Sequence, residues 1–185
     1  MRLNYRRKAM LIKYQNLTIR NAGIEDASLL CKWWSDGKIM AHAGFPDGIK
    51  TSEEVIAQSL LKDTDEVHRR LILMVDEVAI GEMNVRNMGD HTAEIGIKIC
   101  DFSRHNQGLG KKFLSMLIQF LFEEMGYKRI ILDTNVKNLA AQRVYGSLGF
   151  TNLGVRENAW EDQRGELQSS IDYQLIPEDF ISFCR

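Results

Sequence analysis

The segment Ala93 to Met125 constrains the fold of this chain more than any other. Ala93 to Ile99 (AEIGIKI) puts Ile95, Ile97 and Ile99 on one side, as in a half-buried strand. Past the glycine pair of Arg104-His105-Asn106-Gln107-Gly108-Leu109-Gly110-Lys111-Lys112, Leu114, Leu117, Leu121 and Met125 recur at helical spacing, joined by Phe113 and Phe120. Glycine permits positive φ and leaves the backbone uncovered. The unpaired amides of the first helical turn can then face an anion, with the helix dipole behind them. A strand, a glycine turn and a helix in that order read as a phosphate site.

Two well-known phosphate loops do not fit. The four-residue gap and Gly-Lys-Ser/Thr of a Walker loop are missing, and the single Gly-x-Gly lacks the third glycine of a dinucleotide fingerprint. The segment resembles motif A of the GCN5-related N-acetyltransferases, Gln/Arg-x-x-Gly-x-Gly/Ala, whose amides hold the pyrophosphate of acetyl-CoA. One position departs: the Gln/Arg site falls on His105, with Arg104 one place early. The resemblance implies a cofactor cradle of His105, Asn106, Gln107, Gly108, Leu109, Gly110 and Lys111. It also implies that the backbone from Ile97 to Ile99 pairs with the pantetheine arm.

Some way past the glycine pair comes Arg129 to Thr134 (RIILDT), followed by NVKNLAAQRVYGSLGF, which holds Asn138. RIILDT reads as a short buried strand. Asn138 suits a helix N-cap, Ala140, Val144 and Leu148 form an apolar stripe, and Gly149 suits a left-handed stop. This stretch resembles motif B of the same family, in which an Asn opens a helix and a Tyr four residues before Gly-Phe faces the cofactor sulfur. That resemblance, which extends over Leu17 to Leu175, implies that Asn135 and Asn138 contact acetyl-CoA and that Tyr145 is the general acid for the leaving thiolate. Asn158-Ala159-Trp160 before Glu161-Asp162 is similar to the hairpin of the branch holding ribosomal-protein N-terminal, polyamine and aminoglycoside acetyltransferases.

Acetyl transfer to an amine needs a neutral nitrogen, and an alkylamine has a pKa of about 10, so a proton must be taken. Many relatives carry a Glu in the strand before the loop, which makes Glu94 the expected base. Its other reading is a solvent-facing residue alternating with Ile95 and Ile97. Glu82 on the preceding strand and a carbonyl-held water are the fallbacks. A non-catalytic acyl-CoA-binding or sensing module is the alternative function, and intact Tyr145 argues against it.

A chain of 185 residues without repeats or Pro-rich linkers is expected to form one domain, with residues 1–10 as a poorly ordered or extraneous extension. A net charge of −1 gives no footprint for nucleic acid. The basic start (Arg2, Arg6, Arg7, Lys8) precedes an apolar run of only Ala9 to Ile12, too short for a signal peptide or a membrane span. Cys31, Cys100 and Cys184 are unpaired in spacing, and His42, His68 and His91 are isolated, so no metal is expected. A cytoplasmic enzyme fits this cysteine use, and the family makes a homodimer an expectation. The expected partners are acetyl-CoA and a small amine or protein N-terminus.

Leu17 to Arg20 alternates as a first strand, and Ile24 to Trp34 reads as a helix ending at Ser35-Asp36-Gly37. Ala41 to Lys50, with Gly44, Pro46 and Gly48, reads as a loop. Thr51-Ser52-Glu53-Glu54 opens a second helix. Arg70 to Val75 and Val78 to Val85 read as a hairpin, and two last strands flank Glu161 to Gly165. The order β-α-α-β-β-β-α-β-α-β-β is that of the acyl-CoA N-acyltransferase fold. The resemblance implies an α/β fold with a mixed, mostly antiparallel central sheet flanked by helices, splayed between the strands ending near Ile99 and Thr134, the fourth and fifth in this order.

Overall fold

The computed structural model describes residues 10–184, so the basic segment at the start of the chain lies outside the described residues. The strands are β1 (Leu11–Tyr14), β2 (Leu17–Asn21), β3 (His68–Val75), β4 (Val78–Asn87), β5 (Thr92–Ile99), β6 (Arg129–Asn135), β7 (Thr151–Glu161) and β8 (Leu167–Leu175). The helices are α1 (Ala27–Trp34), α2 (Gly37–Met40), α3 (Glu53–Leu60), α4 (Leu109–Glu123) and α5 (Leu139–Ser147). The strands form one sheet in the order β1-β2-β3-β4-β5-β6-β8-β7.

Every neighbouring pair in the sheet is antiparallel except β5 with β6. Those two run parallel and pair only at Thr92 with Arg129, Ala93 with Ile130 and Glu94 with Ile131. Beyond Glu94 they part, which is the splay that the family resemblance implies.

The alternation in β3, β4 and β5 gives the sheet two differently covered faces. Leu71, Leu73, Met83, Val85 and Ile95 pack with Phe113, Leu114, Leu117 and Leu121 of α4 in the larger core. On the opposite face, Ile72 packs with Leu30 and Trp33 of α1 and Ile56 and Leu60 of α3. Removing such a side chain from water stabilises the fold by roughly 1.5–3 kcal/mol. The same pairing that carries Ile72 to the second face carries Glu82 and Lys98, its partners across the sheet, to that face.

The structure adds elements that the sequence expectation lacked. β1 pairs with β2 where only a short apolar run was legible. The loop beginning at Ala41 is preceded by α2 and opens with a 3-10 turn, Ala41–Ala43. A 3-10 turn, Ile24–Asp26, also precedes α1, with Asp26 gripped by both terminal nitrogens of Arg20 at 2.7 Å. The caps behave as read: Ser52 accepts from Val55 N, and Asn138 accepts from Ala141 N at 3.2 Å. Gly149 takes a φ of 93°.

Candidate active site

A cleft of roughly 980 Å3 opens where β5 and β6 part. One side of it is the turn into α4. Gly108 has a φ of 74°, and the first intrahelical bond runs from Lys112 N to Gly108 O at 3.2 Å. The amides from Gly108 to Lys111 therefore precede the hydrogen-bonded ladder. A Cβ built on Gly108 or Gly110 meets nothing within 4 Å, so open space lies over the bare backbone at both. Unpaired amides, uncovered backbone and a helix of 15 residues behind them form a cradle that fits a pyrophosphate.

The predicted cofactor residues divide. Ile97, Ile99, His105, Asn106, Gly108, Gly110, Lys111, Asn135 and Asn138 line the cleft, whereas Gln107 and Leu109 do not. Gln107 turns its amide back to Ser103 O at 2.9 Å. The His105 ring Nε2 lies 2.9 Å from Ile99 O and donates to it, so the departure from the family pattern ties the loop to the end of β5. The Lys111 ammonium lies 4.3 Å over the Phe183 ring, which leaves its backbone as its contribution to the cradle. Asn135 is buried and bonded through Nδ2 to Gln168 Oε1 at 3.0 Å, stitching β6 to β8.

Tyr145 lines the cleft although only 6% exposed. Its ring packs against Phe150 and Tyr173, with centroids 5.7 and 5.4 Å away. The hydroxyl has no hydrogen-bond partner among the described residues and is not among the side-chain atoms sealed from the surface. Burial first, then the nearby Asp133 charge and Tyr173, push its pKa well above the ordinary tyrosine value. It therefore keeps its proton at neutral pH.

Glu94 is placed differently from the expectation. It sits in the last paired register of β5 and β6, outside the residues lining the cleft, with its carboxylate 3.4 Å from Arg86. The alternation that hides Ile95 and Ile97 puts Glu94, Gly96 and Lys98 on the other face, and only Gly96 and Lys98 reach the cleft wall. The fallback Glu82 does line it. Trp34 Nε1 donates to both Glu82 oxygens at 3.1 and 3.0 Å, and Lys98 Nζ lies 2.7 Å from Oε1. Of the tryptophan pair, Trp34 thus holds Glu82 and Trp33 is buried under α1.

Among the cleft residues that the sequence reading did not assign to the site are Asn84, Asp133, His42 and Trp160. Asn84 lies across from Gly96, where a Cβ would stand 2.8 Å from its Nδ2; a glycine in the middle of that strand was the signal in the sequence. Trp160 packs on Gly44, so its ring closes the end of the cleft. Beside it, Asp162 accepts from Gln168 Nε2 and Glu157 from the Ser169 hydroxyl, so both carboxylates are tied into the hairpin. Cys100 is buried next to Glu82, and its thiol is pushed up to about 12, first by burial and then by the Glu82 charge. It is not a nucleophile at neutral pH. Among the described residues no group of three His, Cys, Asp or Glu could hold a metal ion.

Residues 16–151 match the family model described as an acetyltransferase (GNAT) domain. The chain belongs to the GCN5-related N-acetyltransferase family. It is an acetyl-transferring enzyme by that membership. It is 25% identical over 162 residues to an uncharacterized N-acetyltransferase, YnaD, of Bacillus subtilis (strain 168), covering 83% of this chain and 94% of that one. Its fold is similar to that of a spermidine N-acetyltransferase from Vibrio cholerae solved with CoA and spermine: TM-score 0.79, 19% identity, 89% of this chain and 97% of that one. A ribosomal-protein-S5-alanine acetyltransferase from Vibrio fischeri gives a TM-score of 0.79 at 16% identity, covering 93% and 99%. Among the described residues no helix is long and apolar enough to cross a membrane.

Proposed function

We propose that this acetyltransferase carries the acetyl group of acetyl-CoA to a primary amine by direct attack in the cleft between β5 and β6. Acetyl-CoA supplies a thioester whose carbonyl carbon accepts an amine and whose thiolate departs. The observation that carries the reading is the bare α4 cradle facing the unpartnered Tyr145 hydroxyl across one cleft.

The amides of Gly108 to Lys111 hold the pyrophosphate, with His105 and Asn106 along the turn and Asn138 at the head of α5. The edge of β5 from Ile97 to Ile99, released from β6, lies beside the pantetheine arm. Tyr145, protonated at neutral pH, donates its proton to the departing sulfur. The acceptor enters from the second face, over Asn84 and Gly96 and under Trp160. A spermidine acetyltransferase and a ribosomal-protein acetyltransferase among the structural neighbours favour a polyamine or a protein N-terminus, and an aminoglycoside stays in the same chemical class.

The test is release of free CoA thiol from acetyl-CoA in the presence of spermidine, kanamycin or an unblocked alanyl peptide. Turnover with at least one amine, and saturable acetyl-CoA binding without any, is the expected result. Saturable binding with no turnover on any amine identifies an acyl-CoA-binding module instead.

A further inference from the structure

Among the described residues, the carboxylates that line the cleft are Glu82 and Asp133. Their surroundings differ in a way that decides which can take a proton. Both Glu82 oxygens accept from Trp34, and Lys98 stands 2.7 Å away. That carboxylate is committed, and the ammonium beside it repels an incoming cationic amine. Asp133 has one side-chain partner, Arg156 Nη2 at 3.4 Å. The guanidinium is itself engaged by Asp172, at 2.7 Å through Nε and 2.8 Å through Nη2. The Asp133 side chain keeps 50% of its exposure, and Asp133 is among the residues lining the cleft.

Its position on β6 matters as much as its freedom. Ile131 pairs with Glu94, the last register before the splay, and Asp133 is the next residue on that face. It therefore stands at the opening, across the gap from Gly96, on the side where the acceptor enters. Tyr145, the group that receives the sulfur's negative charge, is close enough that the Asp133 charge raises its pKa.

We propose, resting on the acetyltransferase reading above, that Asp133 is the catalytic base that takes the proton from the acceptor's ammonium, with Arg156 holding its orientation through Asp172. The nitrogen lone pair then forms the C–N bond to the thioester carbon and the C–S bond breaks. The thiolate takes the Tyr145 proton, and the amide nitrogen's remaining extra proton replaces it by way of solvent. One acceptor ammonium and acetyl-CoA give one amide, one CoA thiol and one proton.

The groups facing Asp133 are Arg156 on β7, Asp172 on β8, Glu94 on β5, Tyr145 on α5 and, from the 41–43 turn packed against β6, His42. Burial raises the Asp133 pKa first. Arg156 pulls against this, and the Asp172 and Glu94 charges add to the rise. A base moved upward from the usual aspartate range is better matched to an amine at neutral pH.

The experiment is the pH profile of kcat/KM for wild type, Asp133→Asn and His42→Gln, with whichever of spermidine, kanamycin or the unblocked alanyl peptide turns over fastest. Acetyl-CoA affinity and thermal unfolding are measured alongside. Asp133→Asn should bind acetyl-CoA as wild type does, yet lose roughly a hundredfold in kcat/KM at pH 7. Its rate should then climb roughly tenfold per pH unit toward the amine's pKa, because bulk solvent supplies the neutral amine. The wild type should be flat over the same range. Wild-type rate and profile in Asp133→Asn, or a loss and slope carried by His42→Gln alone, would overturn the assignment. Equal losses of acetyl-CoA affinity and rate in Asp133→Asn would assign it to packing instead. A wild type inert on all three amines would overturn the transferase reading and the assignment with it.

Discussion

The two walls of the cleft are built on different principles. The cofactor wall is mostly backbone, drawn from one local stretch: the end of β5, the turn at Gly108 and the first residues of α4. The acceptor wall is mostly side chains from segments far apart in the chain: His42 from a 3-10 turn, Glu82 and Asn84 from β4, Asp133 from β6 and Trp160 from β7. Its outer rim is closed by a clasp between the β7–β8 hairpin and the loop before α3. Gln163 donates to Gly48 O at 3.0 Å and accepts from Asp47 N at 2.9 Å, and Arg164 pairs with Asp47. A backbone cradle depends on a few glycines and tolerates change in the other side chains, so it fixes the donor. A side-chain wall can be altered one residue at a time, so it sets the acceptor.

That contrast is broken first at Tyr145, which belongs to both walls. Tyr145→Phe should keep acetyl-CoA affinity while kcat falls roughly ten- to a thousandfold, the loss of one positioned proton donor. Calorimetry beside steady-state kinetics checks it, and parallel losses of affinity and rate would give the ring a packing role. Because Tyr145 titrates above the ordinary tyrosine range, no alkaline loss of activity should arise from it below about pH 10.

On the acceptor wall alone, Trp160→Ala should raise the acceptor KM roughly tenfold, about 1.4 kcal/mol of binding, and leave acetyl-CoA affinity unchanged. A shift in both constants would erase the division between the walls. The smallest effect is expected at Glu94, which the family pattern suggested and which lies outside the residues lining the cleft. Glu94→Gln should change kcat/KM less than about threefold, with a pH profile parallel to wild type, as for an exposed ion pair. A hundredfold loss would return the base to β5.

The same division explains what the sequence disclosed. Gly108 and Gly110 speak through local conformational freedom, and Asn138 and Gly149 through caps, all properties of neighbours in the chain. The element order followed from periodicity along the chain, and the splay from the family resemblance those residues carry. Asp133 sits in RIILDT, which reads as a buried strand, and only the parting of β5 from β6 turns that position into a cleft wall. Trp160 and His42 meet the site through a clasp between segments more than a hundred residues apart, which no periodicity encodes. β1 escaped because four residues with exposed or half-buried side chains gave no alternation to detect. α2 escaped because one turn between Asp36 and Gly44 resembles a loop.

The most direct measurement of the central claim is calorimetric titration of acetyl-CoA, without acceptor, into the wild type and Gly108→Val. Gly108 has a φ of 74° and open space above it, so valine strains the turn and fills the place the phosphates need. The account predicts saturable one-to-one binding by the wild type and an affinity at least roughly tenfold weaker in a variant whose circular dichroism is unchanged. Equal affinities in the two folded proteins would contradict it and move the pyrophosphate away from the start of α4.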